Sequence, residues 1–443
     1  MNQLKNKCQS ETKDFFDQAR KCLCQSSEEL SQAFAEFSVT MKNGVAFRTS
    51  TLFRQSLLRL AKKVVEVVGP RQIEIKDIQD VAIDTLSKII SENEGNEHDW
   101  ATLFPDALFN NVLVTYQYCG PCELFRFEGV PVFLNGGPIK VCTAQEFILQ
   151  SGIPTSGKDW NLIAKDGNWP DDSVNLSLDF SVHGIVWWID THASKASAPE
   201  SARWLAEVFI SAIRLGVRPA DYCHRAKLGQ VESGPFSKSF RISREIVYNE
   251  RVFHTGGSSI IPSYKIDERF VEDFNSETFQ GKLAQVMRPK KASLALRLSN
   301  GLGWLSRSRQ AEDHATRLLL AFTALESLLS NQDQFQPVAD GIARFSSVIL
   351  SDEPESRIRT FDELKGLYAL RSDLVHRGDR NIHALNANNV QYIAESVFSI
   401  VLAQSNLEQL HKEFLSSLRD ASFGGSWTAS AVGSATPPAR VPS

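Results

Sequence analysis

Arg371 and His376 stand five positions apart in the run Leu367-Tyr368-Ala369-Leu370-Arg371-Ser372-Asp373-Leu374-Val375-His376-Arg377-Gly378. The two side chains bring complementary chemistry. A guanidinium stays protonated at every working pH, and its planar fork grips a phosphate. An imidazole titrates near neutrality and moves protons. Cleavage of an RNA phosphodiester without a metal needs these functions, because the RNA's own 2′-OH is the nucleophile. A base removes its proton, a cation stabilises charge on the phosphorane, and an acid protonates the leaving 5′-oxygen. Other close pairs, His224-Arg225 and His314 with Arg317, do not stand at so clear a helix end. On an ideal helix, positions 371 and 376 lie about 140° apart. The pair therefore converges only if the helix ends between them. Gly378 puts a stop nearby, since helices commonly finish one or two residues before a glycine.

Glu326 carries a separate argument. It sits among Leu325, Leu328 and Leu329 on a strongly apolar helix. A buried carboxylate needs a cation or several donors, and Arg371, Arg317 and Arg344 are candidates. An ion pair that holds the arginine is favoured over acid–base work. Arg357, Arg359, Arg377 and Arg380 can form a positive rim for phosphates. Asp352, Glu353, Glu355, Asp362 and Glu363 balance them. That balance favours a plain solvated face for Arg357 and Arg359, whereas Arg377, next to His376, is read as an RNA contact together with Arg380.

The elements that must position these residues follow from apolar periodicity. Residues about 10 to 93 read as helices, with Phe15, Phe16 and Ala19 and then Leu30, Phe34 and Phe37 three or four apart. A wide apolar stripe over Ser50–Val68 stops at Gly69-Pro70, and Asp77–Ile90 repeats the pattern. The polar stretch Ser91–Asp99 reads as a linker. Short strands are expected over Val112–Tyr116, Leu124–Phe127, Val130–Leu134 and Asn175–Phe180, with a turn at Asn135-Gly136-Gly137. Ile185–Ile189 continues the apolar character. Thr143 and Glu146 suit a capping box, and Ala198–Leu215 reads as a helix. Residues 230–270 are mixed and carry no assignment. From Ala292 the chain reads as helices over Glu312–Ser330, Gln336–Leu350, Arg357–Val375 and, in one long piece, Ala387–Leu418. Short loops suit antiparallel packing. The small, polar residues Gly424–Ser443 are expected to be disordered. The expected architecture is multidomain: a helical N-terminal region (1–95), an α+β central domain (96–291), an all-α bundle (292–422) and a tail (423–443).

Other signals carry less. Cys119-Gly120-Pro121-Cys122 spells a thioredoxin redox motif, but that chemistry needs a thiolate at a helix N-terminus. Here Glu128-Gly129-Val130-Pro131 follows too soon, so a turn between strands is expected. Cys119 and Cys122 lack the second ligand pair of a structural zinc site, and Cys22-Leu23-Cys24 is spaced too closely for a clip. Trp187-Trp188 point to opposite faces of a strand and read as core, as do His183 and His254. Gly256-Gly257 lacks the lysine of a phosphate loop. Neither cofactor nor metal is expected.

Composition sets the outer bounds. The 443 residues are 42% hydrophobic and 23% charged, with a net charge of −4, which argues against a protein that coats nucleic acid through bulk positive charge. No apolar run approaches the roughly 20 residues of a membrane span. Met1-Asn2-Gln3-Leu4-Lys5 lacks the apolar core of a signal peptide. Seven irregularly spaced cysteines do not suggest a disulfide framework. A cytoplasmic setting is expected.

Two segments, Leu318–Leu329 with its Leu325-Glu326-Ser327-Leu328-Leu329, and Leu367–Gly378 with Tyr368, Arg371, His376 and Gly378, resemble the HEPN superfamily and are most similar to its Apea-like branch. The resemblance covers roughly residues 292 to 418. It implies a four- to five-helix bundle that forms a homodimer. The Arg371 and His376 pairs of two copies would then make one metal-independent ribonuclease site acting on RNA, with no DNA substrate. It gives Glu326 a supporting place, together with Ser372 and Asp373. Ser372 departs from the Asn, Asp or His that many active members carry after the arginine. The family's habit of joining the bundle to variable front regions implies a sensor or regulator there, in RNA control or antiviral defence. Some members are inactive helical partners, so a non-catalytic interaction or dimerisation protein is the rival expectation.

Overall fold

Helices form where an apolar side chain recurs every three or four positions behind a polar cap. The structure, a computed structural model, describes residues 2–24, 28–29, 31, 33, 39–42, 45–69, 71–91, 100–122, 124–127, 133–143, 146–147, 150, 163–164, 185–217, 232, 234, 240–242, 246–249, 252–255, 258–260, 264–330 and 337–427. The chain is rich in helix with short strands, and it divides into two units. The boundary falls within strand Ile185–Ala193 and helix Ala198–Gly216.

The first unit is built on helices α1 (Asn2–Lys21), α2 (Thr51–Val68), α3 (Ile75–Ser91) and α4 (Trp100–Asn111). Ser50 caps α2 by accepting a hydrogen bond from the Phe53 amide, and Gly69, at φ 123°, ends it. The stripes anticipated on α1, α2 and α3 bury Phe15, Phe53, Leu60, Ile78 and Leu86 in one core, joined by Phe104 of α4, a helix the sequence reading did not assign. Full burial of each such side chain stabilises by about 1.5–3 kcal/mol.

Within residues 10–93, which read as helices only, the structure places a strand pair. Strands β1 (Val39–Lys42) and β2 (Val45–Arg48) pair antiparallel, Thr40 opposite Phe47. Val45, Ala46 and Phe47 are all buried, and the Phe47 ring stacks 6.1 Å from Phe53. The intervening Asn43-Gly44 is the dipeptide that two-residue hairpin turns favour. That signal was available in the sequence. Strand β3 (Val114–Pro121) follows α4. The short β7 (Ile163–Ala164) pairs with it antiparallel.

The second unit begins with strands. β4 (Phe125–Phe127) pairs in parallel with β13 (Tyr264–Ile266). β5 (Leu134–Asn135) and β6 (Ile139–Thr143) pair antiparallel across Gly136-Gly137. Gly136 is required there, because a Cβ at that position would collide with the Phe209 ring. Between residues 230 and 270 lie two antiparallel pairs. β9 (Phe240–Ile242) joins β12 (Ser258–Ile260), and β10 (Ile246–Asn249) joins β11 (Val252–Thr255). The expected strand Asn175–Phe180, all of the expected linker Ser91–Asp99 but Ser91, which ends α3, and residues 428–443 of the expected tail lie outside the described residues.

The C-terminal part of the second unit is helical. Helices α6 (Glu268–Asn275), α7 (Glu277–Met287), α8 (Leu294–Gln310) and α9 (His314–Leu329) each start from a polar cap. Asp267, Ser276, Ser293 and Asp313 accept from the amides of Phe270, Phe279, Leu296 and Thr316. α10 (Val338–Leu350) and α11 (Pro354–Arg377) follow. Leu298, Leu318, Phe322, Phe345, Val397 and Phe398 are buried in the bundle. A Cβ at Gly301 of α8 would strike the Phe398 ring.

The single helix expected over Ala387–Leu418 is two, α12 (Ala384–Gln404) and α13 (His411–Ala421). The break has a physical cause. The Asn406 side chain accepts from the Glu408 amide and turns the chain. The carbonyls of Leu407 and Gln409 then accept from the Ala295 and Leu294 amides, each at 2.9 Å. Those amides belong to the first turn of α8, where no helical partner exists.

Candidate functional site

Helix α11 carries the Arg371 segment. Pro354 opens it at a position that needs no N–H donor. Gly378, at φ 71°, closes it in the left-handed conformation, its N–H bonded to the Asp373 carbonyl. The helix thus continues through both Arg371 and His376. This corrects the expectation that the helix ends between them. On a continuous helix the two side chains point about 140° apart, so one copy of the chain does not bring them onto a common atom.

Arg371 is tied to Glu326 of α9. Its Nη2 lies 3.0 Å from Glu326 Oε1 and 3.3 Å from Oε2. Of the three arginines considered for Glu326, Arg371 is the partner. Arg317 instead reaches the Ala311 carbonyl at 3.3 Å and Asn388 Oδ1 at 3.4 Å. The Tyr368 hydroxyl donates to Glu326 Oε1 at 3.0 Å. The Tyr368 ring lies 5.3 Å from the Arg371 guanidinium and meets Phe322 edge-on at 5.2 Å. Burial, and then the Glu326 charge, push the Tyr368 phenol up to about 12. It therefore stays a donor at working pH. One expectation needs correction: Glu326 is 22% exposed and Arg371 20%, so the pair lies at the bundle surface, not in its interior.

The remaining candidates surround this pair. His376 is exposed on the last turn of α11. Ser372 and Asp373 are half-buried, and Asp373 forms a 3.2 Å pair with Arg377, which is 77% exposed. Arg380 lies beyond the helix end, 3.0 Å from Asp313. A hydrogen bond from the Thr316 hydroxyl, with help from the Thr316 amide and Arg380, holds Asp313 down at about 2 against the effect of burial. Arg357 is taken up structurally: it donates to the carbonyls of Ser351, Ala421 and Gly425. Arg359 donates to Ser356. The solvated or structural reading of those two rim arginines fits these contacts.

The weaker motifs find ordinary places. Cys119-Gly120-Pro121 end strand β3 and do not open a helix. Cys122 is buried, its amide donating to the Ile185 carbonyl. Trp187 and Trp188 are both buried. Trp187 packs edge-on against Phe125 at 5.5 Å. His183, the His254 side chain and Gly256-Gly257 lie outside the described residues.

Sequence reasoning missed a second ionic cluster, in the same unit. Arg309 Nε and Nη2 each lie 2.6 Å from a Glu395 oxygen, and Arg309 Nη1 lies 3.1 Å from Glu232 Oε1. Arg214 pairs with Glu232 at 3.2 Å and with Glu395 at 3.3 Å. The Tyr264 hydroxyl donates to Glu232 at 2.7 Å, and Gln391 donates to Glu395 at 3.2 Å. All six residues are buried. Burial pushes Glu395 up, but the Arg309 and Arg214 charges outweigh it and hold the carboxyl down at about 2. One signal pointed here. Gln391 and Glu395 interrupt the apolar face that Ala387, Val390, Ala394, Val397 and Phe398 form on α12. The cluster is charge-balanced, and every member serves another member, so it acts as a structural tie.

No helix among the described residues is long and apolar enough to cross a membrane. Comparison with family models, curated proteins and solved structures returned no match.

Proposed function

We propose that the C-terminal helices form an HEPN-like bundle that cleaves RNA without a metal, as a homodimer. The observation that carries this reading is the Arg371 guanidinium. It is held near the surface by Glu326 and Tyr368: Nη2 is taken by the carboxylate, Nε is buried, and Nη1 makes no hydrogen bond among the described residues. A fixed, partly uncommitted guanidinium suits a phosphate whose charge grows during reaction. His376, five residues on and exposed, supplies the proton-transfer group. Because one helix directs the two apart, a second copy completes the site in this reading: Arg371 of one copy works with His376 of the other. Arg377 and Arg380 would leave their acidic partners to meet the RNA backbone. The front regions act as sensor or regulator, and the setting is cytoplasmic RNA control or defence.

The test is a cleavage assay on the full chain in EDTA, beside Arg371→Ala and His376→Ala. The expected products carry 2′,3′-cyclic phosphate ends, and DNA of the same sequence survives because it lacks the attacking hydroxyl. One general acid–base group is worth about 10²–10⁴ in rate, so His376→Ala should remove nearly all cleavage. Cleavage that needs Mg²⁺, or that persists in His376→Ala, defeats the reading. A second reading, a non-catalytic interaction module, draws on the exposure of Val375 (48%) beside His376 and of Leu385 (68%) at the start of α12. Dimerisation or RNA binding without cleavage would favour it.

A further inference from the structure

We infer that Tyr368 is a positioning residue for Arg371, setting the direction in which the guanidinium presents Nη1, the nitrogen that is neither buried nor paired with Glu326. This rests on the reading of Arg371 as the phosphate-binding group. Tyr368 precedes Arg371 by three positions, so both side chains lie on one face of α11. The tyrosine acts on the arginine in two ways. Its ring supports the guanidinium at 5.3 Å, a cation–π contact. Its hydroxyl donates at 3.0 Å to Glu326 Oε1, the oxygen that lies 3.0 Å from Arg371 Nη2. Glu326 is thereby fixed from two directions, and it fixes the arginine in turn. The ring is itself held edge-on by Phe322, which is fully buried, so the chain of support ends in the bundle core.

The arrangement leaves a defined remainder of the guanidinium. Nη2 is spent on the carboxylate. Nε is buried and makes no hydrogen bond among the described residues. If the hydroxyl is lost while the ring stays, the carboxylate keeps only the arginine as partner and can rotate with it. The guanidinium then samples several directions where the native protein holds one. A phosphoryl centre is sensitive to such looseness: a displacement of about 1 Å can reduce rate roughly 10²-fold.

Tyr368→Phe isolates the hydroxyl, because the ring remains against Phe322. The full chain would be labelled with ¹⁵N-arginine and the Arg371 Nε–H signal assigned by its loss in Arg371→Lys. Hydrogen exchange of that proton reports how firmly the guanidinium is held, whether or not RNA is cut. In Tyr368→Phe the exchange should quicken about fivefold, the equivalent of one hydrogen bond, with an unchanged far-UV spectrum. Glu326→Gln, which removes the carboxylate from the same chain of support, should quicken it as well. In the metal-free RNA assay, Tyr368→Phe should lower kcat about tenfold with KM within about threefold, as lost positioning does. An Arg371 exchange rate that is the same in wild type and Tyr368→Phe overturns the inference. So does wild-type kcat in Tyr368→Phe. If the exchange responds as expected while wild type cuts no RNA, the positioning role stands and the nuclease reading falls.

Discussion

Replacing Glu395 by glutamine is expected to destabilise the second unit by about 3 kcal/mol, and the figure can be reached in two ways. The first is charge balance. Arg214, Arg309, Glu232 and Glu395 have side chains 1%, 0%, 7% and 4% exposed, two cations against two anions in a dry interior. Glu395→Gln keeps the shape and removes one anion, which leaves a net positive charge with no water to screen it. Breaking a buried pair in this manner typically costs about 3–5 kcal/mol. The second is proton linkage. Glu395 titrates near 2 in the folded chain against an ordinary 4.5. A shift of that size corresponds to about 3 kcal/mol at roughly 1.4 kcal/mol per unit.

The sign of the pH dependence follows from the direction of the shift. A carboxyl whose folded pKa is depressed contributes fully above its unfolded pKa, and the contribution fades as pH falls through the folded value. Wild type should therefore lose this stability between about pH 5 and pH 2, and Glu395→Gln should lose less over the same interval. Urea unfolding followed by tryptophan fluorescence, at pH 7 and at pH 3, reads both effects. Trp204 and Trp304 pack together at 5.6 Å in this unit and supply the signal. Lys290→Ala is the control, since its 2.6 Å pair with Glu408 is 72% and 51% exposed and such surface pairs contribute about 0–1 kcal/mol. A Glu395→Gln protein as stable as that control at pH 7 would refute the argument.

Three further outcomes are expected. Glu326→Ala should destabilise by only about 1 kcal/mol, well below Glu395→Gln, because solvent already screens a pair a fifth exposed; thermal melts of the two variants compare them directly. Gly378→Ala should destabilise by about 1 kcal/mol, since φ 71° is a conformation that only glycine adopts without strain; urea midpoints check this. Asp313→Ala removes the cap of α9 and the partner of Arg380, with an expected loss of about 1 kcal/mol and faster amide exchange at Thr316.

The sequence by itself determined several of the local elements and that Glu326 needs a cationic partner. Apolar spacing placed α2, α3, α9 and α10 within a few residues, because a helix stripe is written in neighbours three and four apart. Gly378 signalled that α11 stops nearby, but the helix runs to Arg377, past both Arg371 and His376. A carboxylate in a leucine-rich stripe demands a cation, which narrowed the partner of Glu326 to Arg371, Arg317 or Arg344; the structure selects Arg371. Tertiary structure decided the rest. The break between α12 and α13 depends on unsatisfied amides at the start of α8, over a hundred residues earlier. The Arg309–Glu395 cluster joins residues whose need for one another shows only once burial removes water. The separation of Arg371 from His376 depends on a helix that runs past both. Local pattern can say that a helix stops near a glycine. Only the packed chain decides whether two side chains meet before it does, since direction in space belongs to the backbone as a whole.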